Sequence, residues 1–153
     1  MAKKDIGTRF QDDTQDALKA LRKTGLLRFI RLYDTKSARM KYLPPQAGDF
    51  IVSARSRGHL LECKASEVHA SLAECVSSHV QPHQAAEARL WARSGNPSWF
   101  LFYSQPEQKL EVWEGLRIGE AYAGLAKPGE PYLCCSSASL QDLLQGKRRL
   151  HRP

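Results

Sequence analysis

The chain predicts an α/β layered fold, a central mixed β-sheet flanked by α-helices, and three observations carry that prediction. An amphipathic stripe at helical spacing opens the chain. Two strand-like runs, Phe50 to Val52 and His59 to Ala65, follow one another across a short polar link. A helix that begins at Pro82 then leads into Trp99-Phe100-Leu101-Phe102-Tyr103, a continuous apolar run of the kind buried on both faces of a sheet.

Taken in order, the first helix covers about Thr8 to Thr24, with Phe10, Thr14, Ala17, Leu18 and Leu21 on one face and Gly25 as its stop signal. Asp12, Asp13 and Asp16 lie early in it and Lys19, Arg22 and Lys23 late, the polarity that the helix dipole favours. Leu26 to Tyr33, β-branched and aromatic, reads as a strand. Residues 34–45 form a polar, basic excursion with Lys36, Arg39, Lys41 and Pro44-Pro45, a candidate for reaching DNA. After the hairpin, Ser66 to Val80 alternates small and polar residues and reads as loop or short helix. Gln84, Ala88 and Trp91 share a face of the helix from Pro82 to Ser94, ended by Gly95-Asn96-Pro97. A turn at Gln105-Pro106-Glu107 precedes a strand in which Leu110 and Val112 alternate with Glu111 and Trp113. No element is expected from Gly115 to Pro131, which is Gly-rich and Pro-interrupted. Ala138 to Leu144 reads as a short last helix before the basic tail from Lys147 to Arg152.

A length of 153 residues with 42% hydrophobic content suits one compact domain, residues 1–153. The net charge of +7 is uneven: residues 1–42 hold 11 basic and 5 acidic groups, 43–146 hold 8 and 11, and 147–153 hold 4 and none. Basic ends around an acidic middle suit an enzyme that attracts phosphate at its surface and binds a cation inside. Cys63, Cys75, Cys134 and Cys135 show no C-x-x-C pairing, so neither a disulfide framework nor a zinc site is expected. No run approaches a membrane span, and the polar start Met1-Ala2-Lys3-Lys4-Asp5 lacks a signal-peptide core, which predicts an intracellular protein.

The chemistry-bearing residues lie in the hairpin. Side chains alternate faces along a strand, so Glu62 and Lys64 emerge on one side and Leu61, Cys63 and Ala65 on the other. A turn centred between Arg55 and Ser56 sets Asp49 directly opposite Glu62, roughly 5 Å apart at Cβ. Two carboxylates that close repel each other and do not both ionise at neutral pH unless a cation lies between them. A hard divalent ion with oxygen ligands, Mg2+ before Mn2+, is the natural occupant. The Lys64 ammonium could orient or deprotonate an attacking water, or neutralise charge on a phosphorane-like transition state. This is the residue set of a metal-dependent phosphodiesterase; the plainer alternative is a solvated hairpin with a cross-strand charge cluster.

The helix, the Asp hairpin, the E-x-K strand and the following helix resemble the PD-(D/E)xK nuclease superfamily and, within it, the RecU-type Holliday-junction resolvases. Gly7-Thr8-Arg9-Phe10-Gln11-Asp12-Asp13 is similar to that family's opening helix, and Asp49, Glu62-Cys63-Lys64, His83-Gln84 and the strand from Trp99 to Tyr103 continue the likeness, which spans about residues 7–115. The resemblance implies a restriction-endonuclease-like core in which Asp49 and Glu62 bind metal, Lys64 assists the attacking water and Gln84 lines the site. It implies a homodimer that nicks four-way DNA junctions symmetrically, with residues 34–45 as a stalk placing Lys36, Arg39 and Lys41 on phosphates. Arg55, Arg57 and His83 are further candidate DNA contacts.

One position departs from the family pattern. Where the first helix of such enzymes carries a glutamate, this chain has Gln11. A neutral amide still orients a water but contributes less to holding a second cation, which argues against a two-metal mechanism. Asp12 could take that place if the helix is rotated slightly; otherwise Asp12 and Asp13 are helix-start charges. The expectation is an Mg2+-dependent junction endonuclease of DNA recombination and repair, cytoplasmic in a bacterial cell or phage-infected host. Two alternatives stay open, a nuclease of the same type acting on other duplex or branched DNA, and a non-catalytic DNA-binding protein with the same fold.

Overall fold

A computed structural model describes residues 5–33 and 46–136. The basic excursion at 34–45, with Lys36, Arg39 and Lys41, and the expected last helix and basic tail lie outside the described residues. Helix α1 (Ile6–Lys23) begins where the Asp5 carboxylate accepts from the Thr8 amide at 2.8 Å, and Gly25 ends the turn after it at φ 79°. Strands β1 (Leu27–Arg31), β2 (Phe50–Ala54) and β3 (Arg57–Ser66) follow. A 3-10 turn (Leu72–Glu74), the single-turn helix α2 (Val76–His79) and helix α3 (Pro82–Arg93) lead to β4 (Ser98–Ser104), β5 (Lys109–Glu114), helix α4 (Gly115–Tyr122) and β6 (Leu133–Ser136).

The described strands form one six-stranded mixed sheet in chain order, β1-β2-β3-β4-β5-β6. Every pairing is antiparallel except β3 with β4, which is parallel. A parallel pair needs a crossover, and the segment holding α2 and α3 provides it. The β2–β3 hairpin turns at Arg55 and Ser56, both at positive φ (51° and 62°), the backbone of a two-residue turn whose twist matches its strands. Its register pairs Phe50 with Leu61 and Ala54 with Arg57, which carries Asp49 opposite Glu62 as the sequence predicts.

Helices cover the two faces. On one, Phe10 and Leu18 of α1 meet Phe50, Val52, Cys63, Leu101 and Leu110, and the Phe10 ring stacks on Tyr103 at 5.8 Å. On the other, Ala85 and Ala88 of α3 and Ile118 of α4 close over Phe100, Phe102 and Trp113. Glu111 is buried among them, and its carboxylate meets Lys109 at 2.9 Å, the Trp113 indole N–H at 2.7 Å, the Ser71 hydroxyl at 3.0 Å and the Leu72 amide at 3.1 Å. A carboxylate engaged on that many sides is a structural anchor for the segment after β3.

Helix α4 corrects the reading of 115–131 as lacking an element. The glycines that suggested a break are there for contact: a Cβ on Gly115 would fall 2.0 Å from the Ser98 hydroxyl, and one on Gly119 2.7 Å from the Ala85 carbonyl oxygen. They let α4 press against β4 and α3. Strand β6 follows that region, at residues to which the sequence assigns no element.

Candidate active site

Asp49 occupies the residue before β2, where its amide donates to the Leu61 carbonyl at 2.8 Å and extends the ladder by one pair. Its carboxylate bridges two elements: Oδ2 accepts from the Cys63 amide at 2.7 Å, and Oδ1 accepts from Gln11 Nε2 of α1 at 2.9 Å. The first contact fixes the side chain over the strand that bears Glu62, and the second brings α1 to the same place.

Glu62 is buried on the β3 face that α3 covers. The Lys64 ammonium lies 2.8 Å from its Oε1, two residues along the same face, and Gln84 Nε2 donates to that oxygen at 2.5 Å. Gln84 stands at the third position of α3, where its own Oε1 accepts from the Gln81 amide at 2.9 Å and caps the helix. One side chain thus starts α3 and holds the acid. Burial, and after it the charge of Asp49, pushes the Glu62 carboxyl up to about 8 against the pull of Lys64. Asp49 is also raised, by burial, against the Cys63 amide, Lys64, Arg31 and Gln11. Each carboxyl therefore resists ionisation, and a positive charge between them would relieve both.

Around this pair, Arg31 of β1 joins the sheet edge to α1. It meets Asp12 at 2.9 Å, hydrogen-bonds Gln15, reaches Gln11 Oε1 at 3.4 Å, and lies over the rings of Tyr33 and Phe50 at 5.3 and 5.9 Å. Asp12 is accordingly engaged with Arg31 while Gln11 is the α1 residue that touches Asp49. Sequence reasoning missed Arg31 and the Cys63 amide. An arginine in a strand carries no motif, and a backbone donor has no residue-type signal at all.

The structure brings together Asp49, Glu62, Lys64, Gln84 and Gln11. His83 is half-buried beside Gln84 on α3. Arg55 and Arg57 are exposed at the hairpin tip, the far end of β2 and β3 from Asp49, roughly 17–20 Å along the strands. They are not part of the cluster. Among the described residues no helix is long and apolar enough to cross a membrane.

No protein-family model matches the chain, and no curated protein matches it in sequence. Among solved structures the chain is similar to the 1.6 Å structure of Archaeoglobus fulgidus Hjc, a Holliday junction resolvase from an archaeal hyperthermophile, with a TM-score of 0.43 and 16% sequence identity over 72% of this chain and 78% of that one.

Proposed function

We propose that this chain is an Mg2+-dependent endonuclease of the PD-(D/E)xK type that nicks branched DNA, four-way junctions foremost, and works as a homodimer. The observation that carries the nuclease reading is the carboxylate pair, Asp49 opposite Glu62 in the β2–β3 register with the Lys64 ammonium 2.8 Å from Glu62. The donor set fits a hard divalent cation: two raised carboxyls, each disfavoured by burial and Glu62 also by the charge of Asp49, become stable anions once positive charge lies between them. When bound, Mg2+, or Mn2+ in its place, supplies Lewis-acid polarisation of the phosphodiester.

The remaining work falls to the chain's own side chains. Gln11 and Gln84 hold Asp49 and Glu62 by amide donors that add no charge, so the site keeps its net negative pull on a cation. Lys64 offers its ammonium to the attacking water and to charge developing on phosphorus. The water oxygen bonds to phosphorus as the bond to the 3′-oxygen breaks, which leaves a 5′-phosphate on one fragment and a protonated 3′-hydroxyl on the other. The junction substrate, the dimer and the roles of Lys36, Arg39 and Lys41 on phosphates rest on the sequence resemblance over residues 7–115.

The test is cleavage of a labelled mobile four-way junction in excess linear duplex, with and without Mg2+, beside Asp49→Asn. Paired symmetric nicks that require the metal and fall about 100-fold or more in Asp49→Asn are expected. Tight junction binding without nicking in Mg2+ or Mn2+ would overturn the catalytic reading, and equal cutting of duplex would overturn junction selectivity.

A further inference from the structure

A second cluster lies outside the carboxylate site, on the segment between β3 and α3. One ligand-capable atom each from His69, Cys75 and His79 lies within 4.8 Å of the other two. Cys75 and His79 are one helical turn apart, with the His79 amide donating to the Cys75 carbonyl at 2.9 Å, so both side chains share a face. His69 approaches from the preceding loop, its ring 5.3 Å from that of His79 and nearly perpendicular to it. We propose that His69, Cys75 and His79 form a binding site for a borderline-soft divalent transition metal, Zn2+ first among them, with solvent as the fourth ligand.

Three features support it. The donor set, two imidazole nitrogens and one sulfur, is the one Zn2+ prefers and one that Mg2+ avoids. The backbone of His69 is pinned to the sheet at both ends of its peptide: its amide donates to Ser66 Oγ at 2.9 Å, and its carbonyl accepts from Ser104 Oγ at 2.9 Å. Ser66 and Ser104 are buried register partners on β3 and β4, so this ligand stands on the rigid part of the molecule.

The third feature sets the tautomer of His79. Ser78 Oγ lies 3.1 Å from the Cys75 carbonyl oxygen and 3.1 Å from His79 Nδ1. A hydroxyl has one hydrogen, and a carbonyl oxygen only accepts. Both contacts are hydrogen bonds when Ser78 donates to the carbonyl and accepts from Nδ1–H. That leaves the His79 Nε2 lone pair for a metal, the outer-partner arrangement that orients metal-binding histidines.

Zn2+ bonds of about 2.0–2.3 Å at tetrahedral angles place ligand atoms roughly 3.4–3.7 Å apart, so side-chain rotations that move atoms by about 1 Å complete the site. Cys75 is buried while His69 and His79 are half-buried, which puts the open coordination position toward solvent. Burial pushes the Cys75 thiol up to about 11, and its proton passes to solvent as the sulfur–metal bond forms.

The experiment titrates the metal-stripped 153-residue chain with Co2+ and then with Zn2+ as competitor. One equivalent of Co2+ should raise intense visible bands with a thiolate-to-metal charge-transfer band in the near ultraviolet, and Zn2+ should erase them. Cys75→Ser should lose the charge-transfer band, and His79→Gln, at a half-buried position, should weaken Co2+ binding roughly 100-fold. Glu62→Gln should keep the band, which separates this site from the carboxylate pair. No thiolate band in the wild-type protein would overturn the proposal. A band retained in Cys75→Ser would assign the sulfur to Cys63, Cys134 or Cys135 and overturn it as well.

Discussion

At Glu62 the ordinary carboxyl value of 4.5 rises to about 8 in the folded chain, and Asp49 moves in the same direction. A raised acid binds its proton more tightly folded than unfolded, so its contribution to stability is present below about pH 4.5 and is lost as pH climbs through 8. The metal-free protein should therefore show a falling melting temperature over that interval. Under the proposed metal binding, Mg2+ in excess should flatten the fall, because a cation held by the ionised pair stabilises the folded state alone. A metal-free melting temperature that rises from pH 5 to 8 would contradict the buried-pair electrostatics. The opposition of Asp49 and Glu62 was legible in the sequence because a two-residue turn fixes a register and a strand has period two. The Cys63 amide that orients Asp49 was not, since any residue carries that donor.

Helix α4 shows where element-scale patterning fails. Its glycines score as breakers, yet Gly119 marks a close approach of α4 to α3. Gly119→Ala discriminates the two roles by sign. A glycine in an ordinary exposed helix would yield about 1 kcal/mol of stability on replacement by alanine. A Cβ 2.7 Å from the Ala85 carbonyl oxygen should instead cost about 1–3 kcal/mol, read as a lower denaturant midpoint. The first helix, the hairpin and α3 were legible because each has its own local signal: an apolar stripe, a symmetric turn, a proline at the first helical position. β6 and α4 had none. Glu111 was equally hidden, since a carboxylate alternating with Leu110 and Val112 looks solvated until Lys109, Trp113, Ser71 and Leu72 are seen around it.

For the molecule as a whole, a net charge of +7 with basic residues concentrated toward both ends means that, if it acts on junctions as proposed, its binding is dominated by phosphate contacts. Junction affinity should fall steeply as salt rises from about 50 to 200 mM, measured by fluorescence anisotropy; a flat response would count against a phosphate-dominated interface. Strand order equals chain order, so each of the five pairings joins consecutive strands, and the parallel β3–β4 seam, pairing residues such as Lys64 and Phe102, is the sheet's longest-range contact. Long-range pairings are the slow ones to close. We expect amide protection at Leu60 and Gln105, which donate across that seam to the Pro97 and Ser66 carbonyls, to appear in one late kinetic step during refolding; early protection at Gln105 alone would refute this. One side of the seam that closes last is β3, the strand bearing Glu62 and Lys64. If the chain cuts DNA as proposed, cutting competence and the native state arrive together, and a half-folded copy is harmless to the DNA it meets.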